Sequence, residues 1–242
     1  MNTREFSSSF DTLVGSFTHQ AAFGEDISNA DYRFDEYEKS VFLTQAQEEL
    51  VLSLYNGRNS SLQGFEETEE LRRYLSDLIA EAELSPLTST SGRPIGIDSR
   101  SKFFTLPEDL WFITYESVML DGGGKCEDQT SQSVYPVTQD EYHKIRKNPF
   151  RGANARRALR LDLSDGNVEI VSNYDVSKYY VRYLRRLNPI ILTSLDDQSI
   201  NGISVATECE LPVYLHQKIL ERAVELGVRS RVGLVAQTKN ER

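Results

Sequence analysis

The side chains best placed to do chemistry are the arginines of residues 179–192, YYVRYLRRLNPIIL. Arg182, Arg185 and Arg186 interleave with Tyr179, Val181, Tyr183 and Leu187 in a stretch that otherwise reads as a buried strand. A guanidinium offers a planar fork of donors that matches carboxylates and stacks on aromatic rings, which suits docking between subunits. The same pattern also fits a sheet strand whose arginines lie in solvent. A second basic run contains Lys144, Arg146, Lys147, Arg151, Arg156, Arg157 and Arg160, a set able to neutralise phosphates or to meet acidic partners.

Catalytic signatures fail one after another. The GGGKC run at 122–126 invites comparison with a phosphate loop, but such a loop needs glycine where Met119 stands and Ser or Thr where Cys126 stands. The reading is a hairpin loop. His19, His143 and His216 are dispersed, with no spacing that would set two ligands on one helical face, and no G-x-S-x-G elbow occurs. Asp196-Asp197 and Glu66-Glu67 are adjacent carboxylates, which diverge on a regular element and lack a setting to split their pKa values. No catalytic residue, cofactor or metal is expected.

The elements that would carry the arginines follow from periodicity. Phe6, Phe10, Leu13, Val14 and Phe17 mark one face of an N-terminal helix over 4–19, a face that needs cover from its own domain or another protein. Thr44 with Gln47 reads as a capping box opening a helix to about Tyr55, stopped by Asn56-Gly57. Leu71, Tyr74, Leu75, Leu78, Ile79 and Ala82 predict a helix over 66–83 with Glu66, Glu67, Glu69 and Glu70 at its start. Residues 84–102 read as a long loop. Strands are expected at 103–106, 110–120 and 131–137, then a helix capped by Thr138 and Glu141. Alternation across 158–172 around Asp165-Gly166 predicts a hairpin, and the arginine strand should join its sheet. A last helix spans 211–226 with Gly227 as its stop, before a polar tail.

With 242 residues, 39% apolar and 10% aromatic, the chain can bury a sizeable core. The expected organisation is an N-terminal helical arm with an acidic connection over 1–40, one core domain over 41–228, and a polar tail over 229–242. Cys126 and Cys209 form no C-x-x-C pair, which fits a reducing cytoplasm. The N-terminus lacks the features of a signal peptide and no window is long and apolar enough to span a bilayer, so no membrane partner is expected. The net charge of -10 is divided: residues 1–141 carry -16 and residues 142–242 carry +6. Such a division suits head-to-tail packing in which an acidic surface of one subunit meets a basic surface of the next.

Three segments carry a family resemblance: DEYEKSVFLTQAQEELVLSLYNG at 35–57, PFRGANARRALRL at 149–161 and YVRYLRRLNPIIL at 180–192. In wording and order they resemble structural proteins of crAss-like tailed bacteriophages of gut bacteria, in particular the ring proteins stacked between portal and tail. The resemblance implies a virion subunit made in the host bacterial cytoplasm, forming a ring with copies of itself. It also implies twelvefold symmetry shared with the portal, neighbouring ring or tail proteins as partners, and passage of genomic DNA. The expected fold is α/β of the α+β type, a mostly antiparallel sheet packed by several helices, with an N-terminal helical arm. Arg156, Arg157, Arg182, Arg185 and Arg186 would contact Glu36, Glu38, Glu66 and Glu70 of an adjoining subunit, with Phe6, Phe10 and Phe17 as further interface candidates. Tight DNA binding would obstruct a conduit, so subunit docking is the preferred use of the basic run. A virion cargo or ejection protein and a nucleic-acid-binding packaging factor are the alternatives.

Overall fold

The computed structural model describes residues 1–21, 33–57, 67–87, 97, 100–121, 130–164 and 166–240, with side chains described except at 17–21 and 232–240. In chain order the elements are α1 (Thr3–Ala21), α2 (Glu36–Tyr55), α3 (Glu69–Tyr74), a 3-10 turn (Ser76–Leu78), β1 (Ile79–Leu84), β2 (Ser101–Thr105) and β3 (Leu110–Leu120). There follow β4 (Ser131–Pro136), α4 (Gln139–Ile145), β5 (Arg157–Asp162), β6 (Asn167–Val171), β7 (Val176–Arg185) and α5 (Val213–Asn240). The fold is α+β, as expected. The chain divides into two compact units, Leu78–Arg186 and the combination of Met1–Asp77 with Leu187–Arg242.

The first of these, the sheet unit, has seven strands in the order β1-β7-β3-β4-β5-β6-β2. Every neighbouring pair is antiparallel except β4 with β5. The sheet curls. β7 and β2 are five strand spacings apart, about 24 Å if flat, yet the Tyr179 and Phe104 rings stand 5.3 Å apart. Three register shifts between β3 and β7 supply local bending. The inner face holds Phe104, Val118, Val134, Ala158, Val168, Ile170, Tyr179 and Val181, all buried. On the outer face, α4 lays Tyr142 over Leu159, Leu161 and Val171. Of the capping box expected at α4, the Thr138 half is seen, its hydroxyl accepting from the Glu141 N–H.

The inner face also contains charge. Arg160 on β5 reaches Glu116 on β3 at 2.8 Å, and the Tyr179 hydroxyl on β7 donates to the other Glu116 oxygen at 2.5 Å. Arg160 Nε lies 2.9 Å from Asp162. Burial pushes the Glu116 carboxyl above its usual range, although Arg160 and Tyr179 pull it down. Three non-adjacent positions in sequence thus join three strands from within.

The helical unit is built on α1, α2 and α5. Phe6, Phe10 and Val14 of α1 are buried with Leu43, Ala46 and Val51 of α2 and Leu215, Ile219 and Ala223 of α5. The helix α2 starts eight residues before Thr44: Asp35 accepts from the Glu38 N–H, and Glu38 returns the bond to the Asp35 N–H. Thr44 and Gln47, expected as a cap, are instead buried within the helix. Their polar atoms satisfy the extended segment after β7. Thr44 Oγ1 accepts from the Ile190 N–H at 3.1 Å, Ser40 Oγ accepts from the Leu192 N–H at 3.0 Å, and Gln47 donates to the Asn188 carbonyl at 2.9 Å. Side chains of α2 thereby replace a strand partner for 188–192, which therefore lies outside the expected sheet.

Two further expectations change. The helix read over 66–83 is short, and Ile79–Leu84 is an edge strand paired to β7 from Ile79↔Leu184 to Leu84↔Tyr179. Leu78, Ile79 and Ala82 continue the helical period of Leu71, Tyr74 and Leu75, while Glu81 and Glu83 alternate with Ala80, Ala82 and Leu84 as a strand does, and pairing with β7 decides between them. The last helix does not stop at Gly227 but runs to Asn240. A Cβ at Gly227 would stand 3.3 Å from the rings of both Phe10 and Phe34, so this glycine serves close packing rather than termination.

Candidate subunit interface

Among the described residues, α4 packs on one half of the outer sheet face. It packs over Leu159, Leu161 and Val171 of β5 and β6, while among the described residues the outer side of β1, β7, β3, β4 and the start of β5 carries a row of side chains exposed in part. Register aligns Glu83, Tyr180, Ser117, Ser133 and Arg157 across five strands. The neighbouring row aligns Glu81, Arg182 and Tyr115. Tyr115, Met119 and Tyr135 are about half exposed. Aromatic residues, methionine and arginine are the types enriched at protein interfaces.

The five candidate arginines all belong to the sheet unit. Arg182 and Arg185 are half-buried at the surface of β7, and Arg186 is exposed just beyond it. Arg186 is anchored through its backbone, whose N–H donates to the Asp109 carbonyl at 2.7 Å, while Tyr183 donates to the Asp109 carboxylate at 3.0 Å. Arg156 is exposed. Arg157 lies over the Tyr135 ring at 4.1 Å and donates to the Phe150 carbonyl at 3.0 Å.

Phe150, not anticipated from the sequence, has the largest exposure of any big apolar side chain described, 84%. The loop that carries it is well ordered by local bonds. Asn148 Oδ1 accepts from the N–H groups of Phe150 and Arg151 at 2.9 and 3.2 Å, and the Gly152 N–H donates to the Asn148 carbonyl at 2.7 Å. A Cβ on Gly152 would come within 2.8 Å of two backbone oxygens, so only glycine fits that turn. The P-F-R-G wording is the signal that could have found the loop.

The acidic candidates differ in availability. Glu36 accepts from Ser7 at 2.7 Å and from Lys39 at 3.0 Å. Lys39 itself is buried; burial opposes its charge, but bonds to Asp11 and Glu36 outweigh that and raise its pKa. Glu38 closes the α2 cap and takes both oxygens to Arg231 at 2.8 and 2.9 Å. These two carboxylates are therefore engaged within the helical unit, because they form the first turn of α2. Glu70 is exposed and accepts from the Tyr74 hydroxyl. Glu66 and the side chain of Phe17 lie outside the described residues. Phe6 and Phe10 face inward, Phe6 against His216 at 5.2 Å and Phe10 against Phe34 at 5.5 Å.

The units also re-sort the charge. The helical unit holds 12 Lys and Arg against 22 Asp and Glu, whereas the sheet unit holds 15 of each. All of the net charge of -10 therefore belongs to the helical unit. The sequence-order division differs because the chain enters the helical unit at both ends.

Among the described residues, no group of three or more His, Cys, Asp or Glu could hold a metal ion, and no helix is long and apolar enough to cross a membrane. What the surface offers is an aromatic and arginine-bearing sheet face on an α+β body, with residue types enriched where proteins meet. Residues 1–240 match the family described as phage tail ring protein 3/4, and the chain belongs to that family. It is 45% identical over 237 residues to Ring protein 3 of Bacteroides phage crAss001, covering 97% of this chain and 98% of that one. It is 34% identical over 237 residues to Ring protein 4/5 of the same phage, covering 94% and 92%. The resemblance carried by the three segments is borne out over nearly the full length.

Proposed function

We propose that this chain is a nonenzymatic subunit of a ring in the connector between portal and tail, closed by copies of itself around the path of the genome. The observation that supports this most is the match to a ring protein family over residues 1–240. Head-to-tail contacts close a ring when the rotation allows, and they require two different surfaces on each copy. An arginine-bearing sheet unit and an acidic helical unit are such a pair. Twelvefold symmetry and contact with the portal follow from the resemblance to rings stacked on a portal, and this reading adopts them.

The test is the mass of the purified protein by native mass spectrometry at low and moderate salt, alone and with its portal or adjoining ring protein. A discrete closed oligomer is expected, and Arg185→Glu with Arg186→Glu is expected to block it while leaving a folded monomer. A monomer under every condition would overturn the ring reading in favour of a cargo or DNA-associated protein. A normal ring from the double variant would remove these arginines from the contact.

A further inference from the structure

The helical unit carries a shallow, open cleft of about 480 Å³ lined by Glu69, Glu70, Arg73, Tyr74 and Tyr214. Its floor is aromatic: the rings of Tyr74 and Tyr214 stand 5.1 Å apart. Tyr214 is 55% exposed and its neighbour Val213 71%, both at the start of α5. The rim is acidic. Glu69 and Glu70 line it with one cation, Arg73, which pairs with Glu69 at 2.7 Å, while Glu70 accepts from the Tyr74 hydroxyl. Nothing in the unit's own core requires two large side chains to stand open here, and an aromatic floor loses free energy in water at every uncovered ring face.

The sheet unit carries the converse shape. Phe150 projects from a loop held by Asn148 and Gly152, and it is flanked by exposed Lys147, Arg151 and Arg156. Of the seven Lys and Arg among residues 142–161, Lys144, Arg146, Lys147, Arg151 and Arg156 are exposed, whereas Arg160 turns inward to Glu116. The loop's hydrogen bonds at Asn148 and Gly152 set its backbone without a partner, which lowers the entropy lost on contact.

We propose that the Phe150 loop of one copy seats in the Tyr74–Tyr214 cleft of the next, Phe150 against the two tyrosine rings and Arg151 and Arg156 against Glu69 and Glu70. The inference rests on the ring reading and names its contact. Charge selects the occupant. A cleft on a unit of net charge -10 repels the same unit of another copy, and the exposed Lys147, Arg151 and Arg156 around Phe150 are the matching surface on this chain. Because loop and cleft are different surfaces, the contact is heterologous and propagates from copy to copy until it closes.

Phe150→Ser and Tyr214→Ser test it, since both side chains are exposed and neither substitution opens a core cavity. Each is expected to leave the thermal midpoint of the monomer unchanged and to raise the concentration needed for assembly at least about tenfold, the loss typical of a central interface residue. Glu69→Lys with Glu70→Lys should abolish the closed oligomer, and adding Arg151→Glu with Arg156→Glu should restore it. Mixing a Phe150→Cys chain with a Tyr214→Cys chain of different mass should give a disulfide-linked pair containing one of each. Wild-type rings with Phe150→Ser rings of equal stability and no mixed disulfide would overturn the contact and leave the ring reading standing. A wild type that never closes would overturn both.

Discussion

Arg160→Met isolates the buried ionic cluster and allows its magnitude to be worked from the structure. The substitution keeps an unbranched apolar stem and removes the cation that faces Glu116 at 2.8 Å. Glu116 is then left buried with Tyr179 as its donor. An uncompensated buried carboxylate costs about 3 to 5 kcal/mol. The carboxyl has an escape, because it can take a proton. Doing so at pH 7 from an ordinary value near 4.3 costs about 3.7 kcal/mol at 1.36 kcal/mol per unit, which is the ceiling on the penalty. The ceiling falls to about 2.3 kcal/mol at pH 6 and about 1 kcal/mol at pH 5. Burial already raises Glu116 above its ordinary value in the wild type, and loss of Arg160 removes a force that lowers it. A carboxyl whose folded pKa is raised contributes stability at low pH that is lost as pH rises through the folded value, so the gap between variant and wild type narrows as pH falls. Trp111 is the sole tryptophan and lies on β3, so urea unfolding followed by its fluorescence reports the sheet unit. Replacing the set together, Glu116→Leu, Arg160→Met and Tyr179→Phe, should come within about 1 kcal/mol of wild type or exceed it, because no polar atom of the three is left unpaired. A loss in Arg160→Met that is the same at pH 5 and pH 7, or that is below about 1 kcal/mol at pH 7, would refute the assignment of the cost to Glu116.

Two other outcomes follow from the helical unit. Thr44→Val keeps the shape of the side chain but strips the oxygen that accepts from the Ile190 N–H, and an unpaired buried amide costs about 1 to 3 kcal/mol; amide exchange at Ile190 should accelerate accordingly, and unchanged protection would contradict the role given to α2. His216 is buried with Nε2 donating to the Leu211 carbonyl at 2.8 Å and Nδ1 facing the Met1 amino group at 2.7 Å beside the Phe6 ring. Burial lowers its pKa although the carbonyl bond raises it, so the unfolded chain protonates first and stability drops as pH falls below about 6.5, by at most about 1.4 kcal/mol per unit. His216→Gln should flatten the melting profile in that window, and a profile parallel to wild type would show that another group is responsible.

Local patterns were legible wherever one period dominated. The face of α1, the Thr138 cap of α4, and the antiparallel strands 157–162 and 167–171 each follow from neighbours a few residues apart, where sterics and capping act without help from the fold. The segment Ile79–Leu84 was not legible, because helical and strand periods coincide there and only the edge of β7 selects the strand. Thr44 and Gln47 formed a capping pattern with the right spacing, yet Asp35 and Glu38 made the same bonds earlier, where the chain enters the helix. Gly227 carried the signature of a stop, whereas its small size is used by Phe10 and Phe34. Phe150 was passed over because exposure is a property of the folded surface: the P-F-R-G wording marks a loop but does not say that its phenylalanine stands in solvent.

By itself the sequence determined the period of most elements, the α+β class, and three segments whose wording belongs to a ring protein family, since these rest on local order along the chain. Tertiary structure alone decided that Glu116, Arg160 and Tyr179 meet inside a curled sheet. It also decided that polar side chains of α2 complete the backbone of residues 188–192, and that the whole net charge falls on one unit. Each of these depends on which distant segments are brought together. A charge or a hydrogen-bonding group acquires its partner, its burial and its cost only when the fold places another group beside it.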